Sequence, residues 1–214
     1  LRVILLDNID SFTYNLVDEF ARRGTEVLVF RNDVTAARVL DAVGVGEQPP
    51  LVGAGAPRAT ERGQNRRPSL LVVSPGPGNP QGAGNCLAVV RGALGRVPLF
   101  GVCLGHQALV EATGGVVART DAPLHGKATA VTHVGTGIFA GLPSPMPVGR
   151  YHSLAAASVP PDLRITASAG NVVMGVEHRR AQAVGIQFHP ESVLTPLGGA
   201  LIDNVIEWAF HADR

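Results

Sequence analysis

The chain carries two cysteines in 214 residues. That is too few for a disulfide framework at this length, so a reducing compartment is expected. Charge is scarce as well: 16% of residues are charged and the net charge is +1. No field of that size gathers nucleic acid or an anionic membrane, and neither is expected as a partner. No apolar run is long enough to cross a bilayer. The opening residues Leu1-Arg2-Val3-Ile4-Leu5-Leu6-Asp7 are too brief for a signal-peptide core and read as a strand. A soluble cytoplasmic protein is the expectation. Nucleotide fingerprints are missing too. The glycines of Ser74-Pro75-Gly76-Pro77-Gly78-Asn79-Pro80 have the wrong spacing for a dinucleotide loop, and Gly126-Lys127 lacks the upstream glycine and following hydroxyl of a phosphate loop.

What is present is a core: 45% of residues are hydrophobic, enough for one large domain over 1–214. Strand patterns at 3–6, 26–30 and 70–73 alternate with helix patterns at 11–23 and 35–43. The first helix carries Phe12, Leu16 and Phe20 on one face, with Asp10 or Ser11 as its expected N-cap and Gly24 as its stop. A further helix is expected over 84–94, with Cys86 as a packing residue. The second half is strand-rich, at 127–133, 148–151, 163–167, 172–176 and 183–188, before a last helix over 197–210 that buries Leu201, Val205, Ile206 and Trp208. The fold class is therefore α/β: a mostly parallel, doubly wound sheet flanked by helices, with a smaller antiparallel part in the second half. Residues 44–69 break the pattern. They are rich in Gly, Pro, Ala and Arg without periodicity and read as a flexible insertion.

Ligands of such sheets bind beyond the carboxyl ends of the strands, and two informative segments fall there. In Gly101-Val102-Cys103-Leu104-Gly105 a lone cysteine stands between an apolar strand at 98–102 and a helix at 104–113. Small residues two before and two after it permit the sharp turn of a nucleophile elbow, with sulfur replacing oxygen. The helix N-terminus favours the thiolate. The Ser74 to Pro80 loop also follows a strand, and its glycines let backbone N–H groups approach a developing oxyanion. A thiolate needs a base, and the base needs an orienting group. His189 ends an apolar strand, and Pro190 holds it away from helical angles. In extended backbone Glu191 projects to the same side as His189. A zinc-deaminase reading of His-Pro-Glu fails because no Cys-x-x-Cys follows.

Gly101-Val102-Cys103-Leu104-Gly105-His106-Gln107, the 74–80 loop and Gln187-Phe188-His189-Pro190-Glu191-Ser192 occur in an order that resembles class I, triad-type glutamine amidotransferases. More locally, Leu6-Asp7-Asn8-Ile9-Asp10-Ser11-Phe12-Thr13-Tyr14-Asn15-Leu16, Leu124-His125-Gly126-Lys127 and Arg150-Tyr151-His152-Ser153-Leu154 are similar to the glutaminase subunits of anthranilate synthases. The resemblance implies that Cys103 attacks the side-chain amide of L-glutamine to give a thioester and ammonia. It makes His189 the base and Glu191 the residue that orients it. It assigns Gly76 and Leu104 to the oxyanion hole. It assigns Pro77, Gly78, Gln107, Ser153 and Leu154 to holding the glutamine. It implies no cofactor or metal in this chain, with Mg2+ held on a separate chorismate-binding synthase subunit that receives the ammonia. The glutaminase of an aminodeoxychorismate synthase and a stand-alone γ-glutamyl hydrolase share this scaffold, and these residues leave both open.

Overall fold

Val3 and Leu5 turn their side chains to one side of the first strand, and Ile4 and Leu6 turn theirs to the other. All four are fully buried, so this strand is covered on both faces, as a central parallel strand must be. In the computed structural model, which describes residues 1–45 and 68–210, it is β1 (Arg2–Asp7). It pairs in parallel with β2 (Glu26–Arg31) and β3 (Ser69–Val73). β4 (Leu99–Val102) and β9 (Ala183–Ile186) extend the parallel run. β8 (Val172–His178), β7 (Leu163–Ala169), β5 (Val116–His133) and β6 (Met146–Ser158) continue the same sheet in antiparallel fashion. The full order is β2-β1-β3-β4-β9-β8-β7-β5-β6.

Helices cover both faces. α1 (Thr13–Ala21) and α5 (Gly198–Phe210) pack Leu16, Phe20, Leu201, Ile202 and Val205 against Val3, Leu5, Leu70, Val72 and Phe100. On the other face α2 (Ala36–Val43), α3 (Cys86–Ala93) and α4 (Leu104–Ala112) pack Val39, Val89, Val90 and Leu109 against Ile4, Leu6, Leu71 and Leu99. Each fully buried Leu, Val or Phe contributes roughly 1.5–3 kcal/mol. Trp208 is half-buried against the first cluster, as a packing residue. Among the described residues no helix is long and apolar enough to cross a membrane.

Three local expectations need correction. The first helix starts at Thr13, and Phe12 stands at its cap without a side-chain bond. The Asp10 carboxylate instead accepts from the Phe12 N–H at 2.8 Å, and Asp7 accepts from Ile9 N and Thr13 Oγ1. These turns delay the helix by two residues. β5 begins eleven residues before the expected strand because pairing with β6 carries it through Pro123 and Gly126 by register shifts. Most of the expected insertion, residues 46–67, lies outside the described residues. Its ends belong to the framework: Gly44 closes α2 at φ 89°, Val45 is buried, and Ser69 opens β3.

Candidate active site

Cys103 occupies the turn between β4 and α4 with φ 51° and ψ −98°. That region is strained for any side chain, at a cost of order 1–3 kcal/mol. Neighbouring glycines permit it. A Cβ on Gly101 would lie 2.4 Å from the Gly105 carbonyl oxygen, and one on Gly105 would lie 2.2 Å from that of Val73. The Cys103 N–H donates to Ile186 O at 2.8 Å, which fixes the elbow to β9. The residue keeps 6% of its surface exposed.

The 74–80 loop follows β3 and is held from below. Ser74 Oγ accepts from Asn8 N at 2.8 Å and donates to Pro75 O at 2.7 Å, while Asn8 Nδ2 donates to Ser74 O. Gly76 is pressed between Asn8 and Leu104, since an added Cβ would meet Asn8 Cβ at 2.6 Å and Leu104 Cδ1 at 3.2 Å. The two residues expected to donate to the oxyanion are therefore neighbours in space. Pro77 and Gly78 are exposed, and Gly78 has φ +75°.

His189 follows β9 and is tied to β6. Its N–H donates to Gly149 O, and its carbonyl accepts from Thr195 Oγ1 at 2.6 Å. Its Nδ1 lies 2.7 Å from Glu191 Oε1, the same-side approach that the spacing predicts. Phe12 and Tyr151 pack edge-on to the imidazole at centroid distances of 5.3 and 4.9 Å. Burial pulls the imidazolium down, but hydrogen bonding and charge from Cys103 and Glu191 overcome it and raise the pKa to about 10. Nε2 has no hydrogen bond of ordinary geometry, and neither has Glu191 Oε2. Cys103 is nonetheless close enough to lift the imidazolium.

Gln107 is buried on α4. Its Nε2 donates to Leu154 O and to Gln187 Oε1, both at 3.1 Å. Both amide hydrogens are thus used inside the protein, which leaves the Gln107 carbonyl oxygen to offer a ligand. Leu154 O also accepts from His152 Nδ1 at 2.8 Å. Ser153 is exposed and Leu154 half-buried beside this network. His152 is satisfied at both nitrogens, since Nε2 accepts from Arg150 Nε at 3.0 Å. Gln187 and the rings of Phe12 and Tyr151 are not among the expected site residues. Gln187 does carry a signal: a polar amide inside the apolar run Val184-Gly185-Ile186-Gln187-Phe188 must find partners once buried.

Among the described residues no group of three or more His, Cys, Asp or Glu is arranged to hold a metal ion. An open cavity of about 330 Å³ lies elsewhere, lined by Arg23, Asp203, Ile206 and Glu207. It holds no nucleophile, and Arg23 is engaged there with Glu19 and Asp203. The chemistry belongs to Cys103.

The sequence profile of the family described as Glutamine amidotransferase class-I matches residues 4–208. The chain belongs to the class-I glutamine amidotransferase family. This glutamine amidotransferase is 42% identical over 212 residues to anthranilate synthase component 2 of Vibrio parahaemolyticus, covering 99% of this chain and 98% of that one. It is 41% identical over 207 residues to aminodeoxychorismate synthase component 2 of Escherichia coli, covering 95% and 98%. A crystal structure of a GMP synthase component from Thermoplasma acidophilum superposes with a TM-score of 0.79 at 24% identity, covering 99% and 95%. That likeness concerns the fold alone. The expected α/β class and the enzyme class both hold.

Proposed function

We propose that this amidotransferase is the glutaminase component of an anthranilate synthase, acting through Cys103, His189 and Glu191. The observation that carries the reading is the 2.7 Å bond from His189 Nδ1 to Glu191, which leaves Nε2 for the sulfur at the strained elbow. With the imidazolium favoured up to about pH 10, Cys103 and His189 rest as a thiolate–imidazolium pair at neutral pH. The thiolate adds to the side-chain carbonyl of L-glutamine. The oxyanion is received by the N–H groups of Gly76 and Leu104, each worth about 2.7–4 kcal/mol in such sites. His189 returns its proton to the leaving nitrogen, ammonia departs, and a γ-glutamyl thioester remains. His189 then takes a proton from water, which attacks the thioester and releases glutamate. Pro77, Gly78 and the Ser153-Leu154 backbone border the glutamine, and the Gln107 carbonyl accepts from its α-ammonium. Ammonia passes to a chorismate-binding subunit, which would carry any Mg2+, while this chain uses no cofactor. The cytoplasm is the compartment such a pathway implies.

The test is co-expression with a chorismate-using partner and identification of the product. Anthranilate from glutamine supports the proposal. A second reading, the glutaminase of an aminodeoxychorismate synthase, is favoured by the near-equal 41% identity to that component. Formation of 4-amino-4-deoxychorismate alone would replace the first reading with the second. Strong ammonia release without any partner would point instead to a stand-alone γ-glutamyl hydrolase.

A further inference from the structure

Gln187 is completely buried, and both ends of its side chain are occupied. Nε2 lies 3.5 Å from Cys103 Sγ, and Oε1 accepts from Gln107 Nε2 at 3.1 Å. A primary amide in this position is not needed for packing, because a methionine fills the same volume without polar atoms to satisfy. Its orientation is fixed by chemistry. Were the amide reversed, its NH2 would face the NH2 of Gln107 and its carbonyl would face the sulfur. Gln107 cannot turn to accommodate that, since its second hydrogen is given to Leu154 O. The same carbonyl accepts from His152 Nδ1, and His152 Nε2 accepts from Arg150 Nε. One directed series of hydrogen bonds therefore runs from strand β6 through Gln107 and ends with an N–H aimed at the nucleophile.

We infer that Gln187 is a dedicated N–H donor to the Cys103 thiolate, and that Gln107 is the positioning residue that holds the donor in that sense. This deepens the reading of Cys103 as nucleophile and rests on it. A hydrogen bond to a charged acceptor favours the charged form. The donor thus adds to the helix N-terminus and the imidazolium in keeping the sulfur deprotonated. It also joins the sulfur to Gln107, which borders the glutamine, so the group that senses the substrate and the group that attacks it share one amide.

The test is the pH profile of iodoacetamide alkylation, with the modified residue mapped by mass spectrometry and Cys86 as the internal reference. In Gln187→Met the midpoint for Cys103 moves to higher pH by about one unit, a tenfold loss of thiolate below it. In Gln187→Glu, of the same shape but facing the sulfur with a carboxylate, the displacement is larger. Gln107→Met, which frees the amide to turn, shifts it less and in the same direction. A merely structural role would lower melting temperature or plateau rate without moving the midpoint. Profiles of the folded Gln187 variants superimposable on the wild type would overturn the inference. Should Gln187→Met fail to fold, Gln187→Glu and Gln107→Met decide it by the same criterion. Absence of Cys103 alkylation in the wild type would be a different failure, one that removes the nucleophile reading itself.

Discussion

Cys86 and Cys103 each stand at the start of a helix on the same face of the parallel strands, α3 and α4, so both sulfurs meet the same favourable helix end. Their surroundings differ. Cys86 is sealed, with no exposed surface, and burial pushes its thiol up to about 12 despite a hydrogen bond with Asn8. Cys103 keeps a small exposure, sits at φ 51°, and has the Gln187 amide at 3.5 Å and His189 beside it. The helix end does not make a nucleophile by itself. Desolvation outweighs it at Cys86, and only additional donors and a cationic neighbour offset desolvation at Cys103. Backbone strain marks the same distinction, because Cys86 opens its helix with ordinary geometry while the Cys103 turn is forced.

The comparison breaks most sharply under substitution of the two sulfurs. Cys103→Ser is expected to lower glutamine-dependent turnover by roughly a thousandfold or more, while synthesis from added ammonia persists with the partner. Cys86→Ala removes one small buried group and should leave kcat within about threefold, at a stability cost of roughly 1 kcal/mol. Steady-state assays of both variants on glutamine and on ammonium salts measure this. Comparable losses in the two variants would remove the distinction between the sulfurs.

Glu191→Gln tests the support of the charged neighbour. Loss of the carboxylate removes one of the interactions that raise the His189 pKa to about 10 and lets the ring change tautomer. A drop in kcat/KM of about 10² to 10⁴ is expected. There is also a signature in stability. The folded pKa lies above the ordinary value of 6.5, so the contribution is fully present below about pH 6.5 and is lost as pH rises through about 10. Wild-type melting temperature should therefore fall across that alkaline window more steeply than that of Glu191→Gln, as read by thermal denaturation from pH 6 to 10.5.

The elbow is legible in the chain because its signals are local: an apolar strand, a cysteine between small residues and a helix pattern fit within 98–113. The pairing of His189 with Glu191 is legible too, since two-residue spacing in extended backbone needs no tertiary information. The 116–126 portion of β5 is not, because Pro123 and Gly126 erase the alternation and only β6 pairs it. The start of α1 misleads because Asp7 and Asp10 spend their carboxylates on turns before the helix. Gln187 escapes notice for a similar reason: its partners, Cys103 and Gln107, are more than 75 positions away.

The glycines around the elbow provide a stability test. A Cβ on Gly105 would lie 2.2 Å from Val73 O, a backbone atom that cannot step aside without moving β3. Gly105→Ala should cost about 3 kcal/mol and lower the melting temperature by several degrees. At the Cys86 helix the close glycine is Gly92, whose added Cβ would meet Leu40 Cδ1 at 2.5 Å, the end of a flexible side chain. Gly92→Ala should be the milder change. Equal losses by calorimetry would mean that the elbow is no more tightly built than an ordinary helix contact.

If burial decides at Cys86, it must also decide at His106, three residues beyond Cys103 on α4. This imidazole is completely buried, its ring nitrogens make no hydrogen bond of ordinary geometry, and burial lowers its pKa to about 4, with only weak support from the Gly185 backbone. Because that value lies below the unfolded one, the unfolded chain binds a proton between about pH 6.5 and 4 that the native protein refuses. Stability therefore falls with acidification through this window, by on the order of 3 kcal/mol from this group. His152, also lowered to about 4, acts in the same direction. His106→Leu removes the proton acceptor but keeps an apolar side chain, so it should flatten the acid limb of a urea-denaturation series while changing stability at pH 7.5 by less than about 1.5 kcal/mol. An unchanged acid limb in that variant would mean that water reaches the interior beneath the elbow, and that the difference between the two cysteines is not one of burial.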